Sequence, residues 1–248
     1  MMRYAQSRGR KGNATRFALT LLLLWPLFGG GAEIAGRVRV QHVGLFAAAV
    51  DQSVPGGISV SLLPLAGQGL PSAPARVHRI EIHNKTFVPL YMTVQRGDQL
   101  QFVSRDAVFH KLFSLSKIQP FTLDLGKVLA DGQARSSELY ALTETGPWHV
   151  FCRIHSRMYF RVDVVDTPYY TMISEGGEFH FTGLAAGRWQ IRVAAIGSEP
   201  LLVTTDAITA PPLLQIVLSV KGGLAALSAR AAPANGTVND SRDHGDSQ

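Results

Sequence analysis

The chain has 248 residues, of which 46% are hydrophobic, 17% charged and 8% aromatic, enough for one large or two small domains with apolar cores. Its single cysteine excludes an intramolecular disulfide framework, a cysteine-rich zinc site and a C-x-x-C-H haem attachment. The formal charge of +6 invites a nucleic-acid partner, but the first 32 residues hold five basic residues and no acid, and the remainder carries only +1. The basic balance therefore belongs to the N-terminal segment rather than to a binding face, and no nucleic-acid partner is expected.

Residues 1–32 read as a secretory signal peptide. A positive region ends at Arg16, an apolar run spans Phe17–Phe28, and small residues follow at Gly29–Ala32, with Gly30-x-Ala32 matching a small-x-small cleavage site. The run is shorter than the roughly 20 apolar residues of a comfortable membrane helix. Left uncleaved it would be an N-terminal anchor, the one route by which a membrane enters the reading. Either way the chain is expected to be exported, with a periplasmic location.

Beyond this segment the apolar residues alternate at period two. The pattern runs through Val38-x-Val40, Ile58-x-Val60-x-Leu62, Ile80-x-Ile82, Leu100-x-Phe102, Trp148-x-Val150-x-Cys152, Phe179-x-Phe181 and Trp189-x-Ile191-x-Val193. Such alternation places one face on a core and the other in water. Turn formers separate the runs at Pro55-Gly56-Gly57, Gly97-Asp98, Gly146-Pro147 and Gly176-Gly177. The expected class is all-β, of the sandwich kind. Arg96-Gly97-Asp98 reads as a tight turn between strands rather than an adhesion motif. From Lys221 onward the alternation is lost, so residues 221–248 are expected to be a disordered tail, with a weak glycosylation triplet at Asn235–Thr237.

The chemistry is concentrated in Cys152-Arg153-Ile154-His155-Ser156-Arg157-Met158. A thiolate, an imidazole and a thioether follow one another with two residues between each, on a short loop after a strand. A further ligand must come from a neighbouring strand, and His110, between the stretches Gln99–Ser104 and Lys111–Ser114, is the best placed. Two histidines, one cysteine and a weak axial methionine suit copper in both oxidation states. The competing readings are zinc, for which a thioether is an unusual ligand, and a plain core in which Cys152 and Met158 are small buried hydrophobes.

These residues resemble the cupredoxins. Gly97–Leu112 looks like the cupredoxin strand that leads into the first copper histidine, Gly146–Cys152 is similar to the Gly-x-Tyr-x-Phe-Tyr-Cys strand of plastocyanins, and the Cys-x2-His-x2-Met loop has the short spacing of amicyanin. The resemblance covers about residues 77–165 and implies one type 1 copper ion, with His110, Cys152 and His155 as equatorial ligands and Met158 as the axial one. Ser104 and Lys111 stand where the family usually carries asparagines that lock the ligand loop, and Tyr159 and Phe160 replace a basic residue and a glycine.

The segment 166–220 resembles a carboxypeptidase regulatory-like, or transthyretin-like, sandwich, and residues 33–70 look like its opening strands. The cupredoxin domain is thus expected to be inserted into a discontinuous second sandwich. The arrangement resembles exported methylamine-utilisation-like proteins. His42, His78, His83, His149, His180 and His244 lack ligand spacing and are read as surface or core residues. The resemblance implies a blue copper electron carrier of the periplasm and not an enzyme, since neither extra histidine clusters nor a Gly-x-Ser-x-Gly nucleophile motif is present. The alternative is a copper-binding or copper-handling module of the envelope without redox turnover. Arg105, Lys111, Arg153 and Arg157 are expected to surround the copper end with only Asp106 opposing them, which would favour an acidic redox protein partner.

Overall fold

Strict alternation becomes strand wherever β-branched and aromatic residues recur on one face. The computed structural model describes residues 31–44, 54–65, 69–116, 120–128 and 132–221. Residues 1–30 of the expected signal peptide, residues 222–248 of the expected tail and with them the Asn235–Thr237 triplet lie outside the described residues. Within them the strands are β1 (Ala32–Val43), β2 (Ile58–Pro64), β3 (Val77–His83), β4 (Thr86–Val88), β5 (Tyr91–Gln95), β6 (Gln99–Ser104), β7 (His110–Ser114), β8 (Thr122–Leu125) and β9 (Arg135–Ser136). They continue with β10 (Tyr140–Ala141), β11 (Gly146–Cys152), β12 (Tyr159–Val165), β13 (Tyr170–Ile173), β14 (Glu178–Leu184), β15 (Gly187–Ala195), β16 (Leu201–Ala207) and β17 (Leu214–Lys221). No helix occurs among the described residues. The fold is all-β, as the alternation predicts.

The strands make four sheets. Two of them, with orders β10-β6-β3-β4 and β5-β12-β11-β7-β8, enclose one core. Ile80, Ile82, Leu100, Phe102, Trp148 and Val150 meet there, each at most 1% exposed, and each such side chain contributes roughly 1.5–3 kcal/mol by leaving water. The other two sheets, β14-β1-β17 and β13-β2-β15-β16, enclose a second core around Val38, Ile58, Leu62, Trp189 and Ile191. Strands β1 and β2 thus pair with strands that follow β12, so the chain leaves this second pair of sheets and returns to it.

A buried polar knot joins the two halves. Asp163 on β12 accepts from Arg161 Nε at 2.7 Å, from Arg192 Nη1 on β15 at 2.9 Å and from the Tyr91 hydroxyl at 3.0 Å. Arg161 also donates to the Ala195 carbonyl at 2.9 Å. Burial alone would raise the Asp163 pKa, but the two guanidiniums outweigh it and hold the carboxyl below its ordinary value. The Tyr91 hydroxyl is pushed above its usual range, chiefly by burial and then by Asp163.

The Arg96–Asp98 triplet is the expected turn. Gly97 takes φ 95°, which a side chain would strain. Asp98 is buried, accepting from the backbone of Arg76 at 2.9 Å and of Gln95 at 3.1 Å, with His78 Nε2 at 2.8 Å.

Candidate metal centre

Adjacency of β7 and β11 builds the site. Cys152 pairs with Leu112, so His110, two residues earlier on the same face of β7, reaches the end of β11. The alternation Trp148, Val150, Cys152 turns the thiol inward, where Cys152 is 4% exposed. After Cys152 the chain turns tightly: the Arg153 amide donates to the Lys111 carbonyl at 2.8 Å, and the Met158 amide to that of His155 at 3.0 Å. This turn brings His155 back over Cys152.

The ligand atoms of His110, Cys152 and His155 all lie within 4.8 Å of one another. Cys152 Sγ stands 3.9 Å from His110 Nδ1 and 3.6 Å from His155 Nδ1. With metal–sulfur and metal–nitrogen bonds of about 2.3 and 2.0 Å, a sulfur and a nitrogen on one first-row ion stand roughly 3.5–3.7 Å apart. The donor set therefore fits a transition-metal ion. Met158 is buried in the same core cluster as Cys152, 1% exposed, at the end of the turn that carries His155.

The imidazoles are prepared as ligands. His110 Nε2 lies 3.0 Å from Asp106 Oδ2; a carboxylate only accepts, so Nε2 carries the proton and Nδ1 presents its lone pair to the thiol side. Burial lowers the His110 pKa more than Asp106 raises it, and burial followed by Lys85 lowers that of His155. Both shifts favour the neutral ring that can bind a metal.

Asp106 does more than hold His110. Its Oδ1 accepts from the Asn84 amide at 2.7 Å and its Oδ2 from the Lys85 amide at 2.8 Å. Asn84 and Lys85 form the two-residue turn between β3 and β4, with φ of 50° and 59°, the pattern of a type I′ hairpin. Lysine is a poor residue there, and the carboxylate offsets its cost by binding the amide. Ser104 lends its hydroxyl to the Asp106 amide at 3.3 Å. One carboxylate thus ties the His110 ring to the turn between β3 and β4. The available signal was an aspartate four residues before a candidate ligand histidine; the turn it also ties lies more than twenty residues upstream.

The expected basic rim requires correction. Asp106 is buried and faces inward, and it is not the only opposing acid. Arg105 pairs with Glu81 at 3.1 Å and Lys111 with Asp124 at 3.4 Å. Arg153 lies over the Phe113 ring, 4.9 Å from its centroid. The net positive character of this end rests on Arg153, Arg157 and Lys85 rather than on the four residues expected. Phe109 and Ile154, each immediately before a candidate ligand histidine, are exposed by 58% and 55%.

The remaining histidines among the described residues stand apart from this cluster, and His244 lies outside those residues. His149 Nδ1 is 2.8 Å from the Tyr159 hydroxyl on the outer face of β11, and His180 pairs with Glu33 at 3.0 Å. Among the described residues, this His-Cys-His group is the cluster of metal-binding side chains that the fold brings together.

No protein-family model matches the chain, and no curated protein matches it. Among solved structures, a mutant amicyanin in the Cu(I) state aligns at 20% identity, covering 44% of this chain and 99% of its own, with a TM-score of 0.29. A second amicyanin mutant, reduced at pH 4, aligns at 22% identity over the same shares, also with a TM-score of 0.29. A purple cupredoxin from Nitrosopumilus maritimus aligns at 19% identity over 35% of this chain and 98% of its own, with a TM-score of 0.30.

Proposed function

We propose that the chain is an exported type 1 copper protein that carries single electrons in the periplasm and is not itself an enzyme. The observation that carries this reading is the convergence of one thiol and two imidazole nitrogens at the buried end of a β-sandwich. His110, Cys152 and His155 would hold the ion equatorially, with Met158 as the axial ligand. Bound copper supplies reversible one-electron exchange through a soft, thiolate-rich site. Cys152 and Met158, both buried, keep water from two of the four donors, and Asp106 fixes the His110 ring so that little reorganises between oxidation states. The thioether favours copper over zinc.

His155 is the half-buried member of the set and is the proposed electron exit. Exposed Phe109 and Ile154 beside the ligand histidines give a redox protein an apolar landing surface, and Arg153 and Arg157 add positive charge that would favour acidic residues on that partner. The second pair of sheets we read as a carboxypeptidase regulatory-like module appended to the carrier.

The test is the visible and electron paramagnetic resonance spectrum of the exported chain loaded with Cu(II), beside Cys152→Ser. An intense thiolate-to-copper band with narrow hyperfine splitting, absent from the variant, is expected. Wild-type protein that takes up no copper would refute the reading. Repeated oxidation and reduction without loss of metal separates a carrier from a copper-handling module, which should release its ion to an apo acceptor.

A further inference from the structure

On the face of β11 and β12 away from the metal cluster lies a cavity of about 510 Å³, within the size range of small-molecule sites. One wall is aromatic. Phe151, His149 and Tyr159 project from the outer face, with the His149 and Tyr159 rings stacked at 5.9 Å and 21° and Phe151 5.4 Å from Tyr159. The His149–Tyr159 hydrogen bond at 2.8 Å fixes these two rings relative to each other. Burial lowers the His149 pKa and so keeps the ring neutral. The facing wall is the turn between β15 and β16, residues 196–200, with Lys221 beside it. The Lys221 amide donates to the Gly197 carbonyl at 3.0 Å, which fixes that edge.

The charges in this cavity do not cancel. Arg161 lines it, but its guanidinium is committed to Asp163 and to the Ala195 carbonyl. Arg157 and Lys221 then face the single acid Glu199, an excess of one positive charge beside the aromatic wall. We propose that this cavity binds a planar aromatic carboxylate, the ring lying against His149 and Tyr159 and the carboxylate set between Arg157 and Lys221. Offset stacking against such rings and a monoanion to balance the excess charge are both supplied by that one ligand class. The site does not use the metal ligands, although Phe151 precedes Cys152 and Tyr159 follows Met158 in sequence.

The experiment is calorimetric titration of the full chain, metal-free and copper-loaded, with 2-naphthoate, 2-naphthamide and 2-naphthylmethylammonium, with amide chemical shifts mapping the contact. Saturable binding of one naphthoate is expected, with shifts at Phe151, Tyr159 and Gly197, and at least tenfold weaker binding of the ammonium compound. The double variant Arg157→Gln, Lys221→Gln should weaken naphthoate by about three- to tenfold and leave the neutral amide unchanged, while Glu199→Gln should tighten naphthoate. Ammonium binding as strong as naphthoate, indifference to the double variant, or no saturation would each overturn the proposal. So would a chain ending at Lys221 that binds naphthoate tenfold more tightly, because residues 222–248 would then be the cavity's own occupant. Binding by the metal-free chain is read without copper, so failure here and failure of the copper reading are separate results.

Discussion

Replacing Asp106 with asparagine separates the carboxylate's two tasks from its shape. In the wild type Oδ1 binds the Asn84 amide, while Oδ2 binds both the Lys85 amide and His110 Nε2. An asparagine keeps one oxygen, and its NH2 group must face a donor at the other position. If the oxygen stays on the hairpin amide of Asn84, the Lys85 amide and the His110 ring both lose their acceptor. A buried donor left without a partner costs about 1–3 kcal/mol. A loss of about 2 kcal/mol lowers the melting temperature of a chain this size by roughly 4–8 °C. Loss of an outer hydrogen bond to a ligand histidine weakens metal binding by about 10- to 100-fold. Urea unfolding of the metal-free protein measures the first effect, and competition with a chelator of known affinity measures the second. Lys85→Gly distinguishes them, since it relieves the strained turn while leaving His110 bound to Asp106, and copper affinity should not fall. An Asp106→Asn chain with wild-type stability and wild-type copper affinity would refute the account of this carboxylate.

Asp163→Asn breaks the knot between the two halves, leaving Arg161 and Arg192 facing a neutral amide, and should cost about 3–5 kcal/mol in urea unfolding. Because the folded-state pKa of Asp163 lies below its ordinary 3.8, its contribution is present above about pH 4 and is lost as the pH falls through the folded value. The variant's stability should accordingly change less than the wild type's below pH 4, as a urea series across that range would show. Gly56→Ala should destabilise by about 2–4 kcal/mol, since Gly56 has φ 77° and an added Cβ would stand 2.6 Å from Tyr91 Cβ; equal midpoints in urea would contradict this. Arg153→Glu with Arg157→Glu should slow electron exchange with an acidic redox protein at low salt and have little effect at high salt, where charges are screened. Stopped-flow rates independent of both substitutions and salt would remove steering from the partner reading.

What the sequence disclosed depended on how local each feature is. Trp148-x-Val150-x-Cys152 shows its strand and the inward aim of the thiol together, because side-chain direction follows from period two alone. The spacing Cys152, His155, Met158 shows one tight loop for the same reason. Parallel pairings leave no such mark: β3 with β6, β5 with β12 and β1 with β17 join segments whose local patterns are indifferent to the partner chosen. Phe109 is exposed, since His110 takes the inward phase at the start of β7. Edge strands such as Arg135–Ser136 and Tyr140–Ala141 are too short and polar to carry a period.

Charges were the least legible, and the reason is geometric. Arg105 and Lys111 look like a free rim until Glu81 and Asp124 arrive from neighbouring strands. Arg161, buried on a strand whose two faces are both covered, is tolerated because Asp163 on the same strand and the Ala195 carbonyl on β15 receive its donors. A formal charge read along the chain counts these residues alike, whereas the folded molecule spends some on internal pairs and leaves Arg153, Arg157 and Lys221 to face outward. Arg157 stands between the two proposed surfaces, in the ligand loop by sequence and on the cavity wall by position. Its substitution alone would perturb both the docking of a redox partner and the binding of an aromatic anion. Lys221→Gln would weaken only the anion and Arg153→Glu only the partner, so these two single variants apportion the charge that Arg157 shares.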